Sequence, residues 1–228
     1  FQNTSVPALD GYRLYISDAA QQPIFKAFPY PAGLRDKFNY EPIQAFQRTV
    51  DNRVFYNHVL SNTIWELCED KCVARYKITF PEYETLFTDE ELETLSNEAY
   101  EEKLSHSRVF SSNYLMNNQF LAGEVILKNR FVKQFLYDRK SKRLLYGTFS
   151  SGKNNDLFQH FFASHFDYAM GENQFIRVVQ PFDVFRMISD SKKYNTEPLH
   201  IGEKEQELLT RIKEEDNPVL VIFDMKSF

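Results

Sequence analysis

Glycine, cysteine and tryptophan are all scarce in this chain, with seven, two and one among 228 residues. Two cysteines cannot build a disulfide scaffold. Their spacing, Cys68-x-x-x-Cys72, matches neither a redox C-x-x-C nor a four-ligand zinc site. No apolar run approaches the ~20 residues of a membrane span, and no signal peptide or lipidation motif is visible. The calcium loop D-x-[DN]-x-[DN]-G and the Gly-x-Ser-x-Gly nucleophile elbow are also missing. A net charge of -5 gives no general electrostatic reason to bind nucleic acid or an anionic membrane. The chain opens on Phe1 rather than Met, which is expected of a processed or excised piece.

Aromatic rings are plentiful: 22 Phe and 13 Tyr. Such residues fit pleated surfaces and fill wide sheet-on-sheet interfaces. The stretch Asp51–Pro81 holds three extended runs, broken at Ser61-Asn62 and at Glu69-Asp70-Lys71, and reads as one antiparallel blade. In its first run Val54, Tyr56 and Leu60 face one way, Phe55 and Val59 the other. Apolar residues on both faces imply a sheet sandwiched between two others. Only Cys72–Phe80 alternates with charge, through Arg75 and Lys77, as an outermost strand should. Asn62–Phe80 and Asn129–Phe149 share one strand–turn–strand layout, and Gly11–Phe28 resembles it loosely; recurrence of a fixed unit is the mark of stacked blades.

Further strands are predicted within Lys37–Val50, at Arg108–Met116, Phe120–Leu127, Leu157–Ala169 and Gln174–Gln180. Val219–Phe223, continuously apolar, is predicted to be buried on both faces. Thr88-Asp89-Glu90-Glu91 is a capping box opening a helix near 88–105, and a second helix is predicted near 203–216. Phe182–Ile188 fits a short helix or a strand.

Three segments, SNTIWELCEDKCVARYKITFP, FLYDRKSKRLLYG and EEDNPVLVIFDMK, together resemble six-bladed β-propeller lipoproteins of the cell envelope of gut-type Gram-negative bacteria. The resemblance runs from about Tyr12 onward and implies a periplasmic or outer-membrane-associated protein with no established catalytic residues. A blade takes roughly 40–45 residues, so the chain holds about three to four of them. The expectation is therefore a single all-β, propeller-like domain over 1–228: antiparallel four-stranded blades with two peripheral helices. Missing N-terminal blades and a lipid-bearing cysteine would lie outside it, or the protein is a shortened relative. An open set of blades exposes an apolar sheet face and favours self-association.

The expected function is non-catalytic binding or scaffolding, with an envelope protein or a glycan as ligand and no cofactor. The enzyme alternative is a propeller hydrolase or lyase acting on polysaccharide. His160, His165 and Asp167 form the only histidine cluster and are the candidate ligand-binding residues, although residues five apart on a straight strand point to opposite faces. Gly147–Lys153 matches the phosphate-cradling G-x-x-x-x-G-K, but Asn154 stands where Ser or Thr should ligate magnesium. In an oxidising compartment Cys68 and Cys72 form a cross-hairpin disulfide if the turn brings their Cβ atoms within about 4.5 Å; two free thiols are the alternative.

Overall fold

A computed structural model describes residues 11–34, 37, 45–58, 60–79, 87–127, 131–147, 166–193 and 201–228. The described residues form four antiparallel sheets in succession. The first pairs β1 (Tyr12–Ser17) with β2 (Pro23–Pro29). The second is a meander of β3 (Phe46–Arg48), β4 (Val54–Tyr56), β5 (Thr63–Leu67) and β6 (Cys72–Lys77). The third repeats that order with β7 (Arg108–Met116), β8 (Phe120–Leu127), β9 (Phe131–Asp138) and β10 (Leu144–Gly147). The last joins β11 (Tyr168–Met170), β12 (Gln174–Val179) and β13 (Val219–Asp224). The repeated unit read in the sequence is thus the outer strand pair of each complete blade, β5–β6 and β9–β10.

Short polar side chains close the hairpins by taking over backbone bonds. The Asn117 Oδ1 accepts from the amides of Gln119 (3.1 Å) and Phe120 (2.7 Å). The Asp18 carboxylate accepts from Ala20 (2.9 Å) and Gln22 (2.8 Å), and Asp138 from Lys140 (2.8 Å) and Ser141 (3.2 Å).

Adjacent residues on β4 settle how the sheets meet. Phe55 and Tyr56 are both 0% exposed, yet they leave the strand on opposite faces. Tyr56 packs with Leu14 and Ala45 toward the first sheet. Phe55 packs with Ile64, Phe110, Met116 and Phe135 toward the third. The far face of the third sheet, through Leu115, Ala122 and Leu136, meets Phe175 of the last. Each sheet is therefore a layer pressed against the next, as predicted. Polar bonds pin the same junctions: Tyr114 Oη donates to Ala45 O (3.4 Å), and the Phe110 amide to Asn62 Oδ1 (3.3 Å).

Three local readings change and a fourth, left open between helix and strand, is settled. The helix near 88–105 is two helices, α1 (Asp89–Thr94) and α2 (Asn97–His106). The Thr88–Glu91 capping box forms as predicted, but Leu95 turns extended and Ser96 caps α2 by accepting from Ala99 N at 3.2 Å. Both helices pack through Leu92, Tyr100 and Leu104 onto Leu34 and Phe87. Phe182–Ile188 belongs to a helix, α3 (Pro181–Lys193), with Pro181 at its first position, where a missing amide costs nothing. The C-terminal helix α4 is shorter than predicted, Glu203–Arg211. Finally, β13 is not buried on both faces, since Leu220 is 60% and Ile222 50% exposed. The predicted segments 38–44 and 157–165 lie outside the described residues.

Candidate functional site

Antiparallel alternation brings the turns β7–β8, β9–β10 and β11–β12 to one end of the sheets, where side chains knit them together. The Gln119 amide donates to Glu172 O (3.0 Å), and Asn118 Nδ2 donates to Glu172 Oε1 (2.8 Å). Asn117 Nδ2 donates to Gln174 O (3.1 Å) and Asn173 Nδ2 to Met225 O (2.7 Å). Arg139 is the hub. Its Nη1 donates to the carbonyls of Asn117 (2.6 Å) and Asn118 (3.0 Å), and its Nε to Tyr76 Oη (2.7 Å) on the neighbouring blade. The guanidinium also lies 5.8 Å from the Tyr76 ring centre and 6.0 Å from that of Phe55. Around this hub Lys140, Ser141, Lys142 and Glu172 are exposed, and the Asn118 Oδ1 is buried without a partner.

Two acids, Asp138 and Glu66, are spent on structure. Asp138 is buried; burial alone would raise its pKa, but the Ser227 hydroxyl and the Ser141 and Lys140 amides outweigh that and hold it well below the usual carboxylate range. Glu66 is gripped by Arg53 (2.8 and 2.9 Å) and by Arg75 Nε, which brings its pKa down to about 2. Neither carries a proton to donate near neutral pH.

Glu124 behaves in the opposite way. It sits on β8 opposite a register break between Phe110 and Tyr114, and burial, only partly offset by Asn113, raises its pKa. A raised pKa in the fold means stability is greater below it and falls as pH rises through it. Glu124→Gln is therefore expected to raise the melting temperature by about 1–3 °C at pH 8 and to change nothing at pH 4. Thermal scans at both values check this.

The sequence-predicted residues fare differently. His160 and His165 lie outside the described residues. Asp167 is described and anchors the last sheet: its carboxylate accepts the Val178 amide (2.7 Å) and pairs with Arg177 (3.2 Å). Of the phosphate-loop candidate, Gly147 ends β10 and 148–153 fall outside the described residues. Here β10 is the outer strand of an antiparallel sheet. Cys68 and Cys72 are free thiols. Leu67 pairs with Cys72 while the Cys68 amide bonds to Lys71 O, so the two cysteines occupy adjacent rungs whose side chains leave on opposite faces. Burial, with a smaller contribution from Cys68, pushes the Cys72 thiol up to about 11. Sequence reasoning missed Arg139, Asn118 and Glu172, because their contacts join separate hairpins: Asn118 meets Glu172 across 54 residues, and Arg139 reaches Asn117 across 22 and Tyr76 across 63.

At the opposite end the first sheet is tied to the second. Arg13 is buried, its Nη1 lies 3.1 Å from His58 Nδ1, and its guanidinium lies 5.5 Å from the Tyr30 ring centre. Phe28 (φ +59°) is held in a left-handed conformation by rings of Tyr56, His58 and Trp65 at 5.0–5.6 Å. Packed rings fill this junction, which makes it a structural joint rather than a receptive surface.

Comparison with known proteins agrees with the layered sheets. No curated protein matches the chain in sequence. Among solved structures, a "Putative exported protein" of Bacteroides fragilis NCTC 9343 superposes with a TM-score of 0.67 at 16% identity, over 96% of this chain and 59% of that one. This chain thus spans well under two thirds of that neighbour. No helix among the described residues is long and apolar enough to cross a membrane. A family profile described as a 6-bladed beta-propeller, of uncharacterised function, matches residues 2–177, and the chain belongs to that family.

Proposed function

We propose that the protein is a non-catalytic binding or scaffold propeller of the bacterial cell envelope, periplasmic or outer-membrane-associated, from a lipid-anchored parent. The ligand is an envelope protein or a glycan, received at the turn end around Arg139. The observation that carries this reading is the cross-linking of the turns of two successive sheets into one polar surface, fixed before any ligand arrives. Preorganised turns on a rigid scaffold lose little entropy on binding. The exposed Lys140 and Lys142 suit a ligand rich in hydroxyl and carboxylate groups. The enzyme alternative, a polysaccharide hydrolase or lyase, needs an acid that holds a proton beside a second carboxylate. Glu66 and Asp138 are held ionised by their own chain, so neither is that acid.

A screen of envelope polysaccharides, peptides and envelope proteins tests the proposal. Lys140→Glu with Lys142→Glu is expected to weaken the best binder about tenfold or more at low salt, with an unchanged melting temperature. Turnover of any screened polysaccharide, or binding indifferent to the charge reversal, would contradict it.

A further inference from the structure

The two four-stranded sheets treat their outer edges differently. An exposed sheet edge is ordinarily blunted by charge or by a bulge that twists it away. The second sheet uses both devices: its outer strand β6 carries Arg75 and Lys77, and the β5–β6 ladder shifts register between Ile64 and Trp65. The third uses neither. Its outer strand β10 reads Leu144-Leu145-Tyr146-Gly147 and pairs with β9 without a break, and the three large side chains are 58%, 45% and 41% exposed. The Asp138 amide donates to Arg143 O, so by antiparallel alternation Leu145 and Gly147 bond inward to β9. The amides and carbonyls of Leu144 and Tyr146 therefore point out of the sheet, and no described strand takes them up. Cations stand at both ends of this edge. Lys140, Lys142 and Arg143 are exposed where β10 leaves its turn, and Lys133 Nζ on β9 lies 5.8 Å from the Tyr146 ring centre at the far end. None of the four forms an ion pair among the described residues.

We infer that β10 receives an extended segment of a partner protein as a fifth strand, apolar at its centre and acidic at its ends. The inference rests on the binding role proposed above and, at the same end of the sheets, selects a protein strand over a glycan. Main-chain bonds to Leu144 and Tyr146 supply affinity. The side chains of Leu144 and Tyr146 on one face, and of Leu145 on the other, flank apolar residues of the incoming strand. The four cations select acids at its ends and disfavour a basic strand. A second copy of the chain does not supply that complement. Antiparallel pairing of two β10 edges sets Leu144 beside Tyr146 and carries Arg143 of each copy toward Lys133 of the other, cation against cation.

The probe is a fluorescent synthetic peptide of about ten residues, alternating Val and Thr between paired Glu at each end, titrated into the protein at low salt and followed by polarisation. Saturable binding is expected. N-methylation of the central amides, which deletes the main-chain donors, should weaken it about tenfold or more, and Lys in place of the terminal Glu should do the same. Tyr146→Pro removes one outward amide without touching a bond to β9, so it should weaken the peptide about tenfold or more while moving the melting temperature by less than about 2 °C. If that variant fails to fold, the N-methylated peptide on wild type decides alone. No saturable binding, equal binding of the N-methylated peptide, or a peptide-free dimer that Tyr146→Pro splits would each overturn the inference, the last in favour of a second copy. A glycan binder whose affinity Tyr146→Pro leaves unchanged would overturn it and leave the binding role standing, whereas turnover of a polysaccharide would strike both.

Discussion

Phe55→Ala is expected to lower the unfolding midpoint by about 10 °C. The side chain is fully buried between the second and third sheets, so its removal leaves a cavity bounded by two blades. Truncating a buried Phe costs about 3–5 kcal/mol, and each kcal/mol moves the midpoint of a chain this size by roughly 2–4 °C. The control is Ile222→Ala in the same 228-residue chain. Its side chain is half exposed and should cost less than about 1 kcal/mol. Differential scanning calorimetry of both variants checks the contrast, and equal losses would mean that Phe55 is not held between layers.

Gly33→Ala should be nearly as damaging, for a different reason. A Cβ there would lie 2.4 Å from Leu92 O and 2.7 Å from Glu93 Cα, both backbone atoms of α1 that cannot rotate aside. The 3-10 turn Ala32–Leu34 and α1 would have to separate. That would also strain the Ala32 amide bond to Glu93 Oε1 (3.1 Å) and the two bonds Lys37 Nζ donates to the carbonyls of Gly33 and Leu92. Overpacking of this kind costs about 1–3 kcal/mol, or roughly 3–10 °C here. Amide exchange should accelerate in Asp89–Thr94 and not in β8; uniform acceleration, or none, would show that the contact does not dock the helix.

The sequence displayed the sheets more clearly than the site, and for physical reasons. Strand identity is local: branched and aromatic residues between Asn, Asp and Gly breaks mark β7, β8 and β12 within a residue or two. The two-sided pattern of Val54–Tyr56 is also local, and it announced a buried layer. The same logic misplaced β13, whose composition satisfies two neighbours while only one is present. Ser96 was hidden for another reason: it caps α2 without the acidic partner that made Thr88 recognisable. The turn-end surface depends on Asn118 meeting Glu172 across 54 residues, a pairing that no local pattern encodes. Asp167 was visible as an acid near histidines, but its partners Arg177 and Val178 lie on the next strand and make it an anchor.

The claim beneath all of this is that successive sheets lie layer on layer, and the bond that crosses the second and third most explicitly joins Tyr76 Oη to Arg139 Nε at 2.7 Å. A double-mutant cycle on Tyr76→Phe and Arg139→Ala, read by urea unfolding, measures that crossing directly. Stacked blades predict a coupling of about 1–2 kcal/mol between the two positions. Effects that add to within roughly 0.3–0.5 kcal/mol would place the residues apart and contradict the layered propeller.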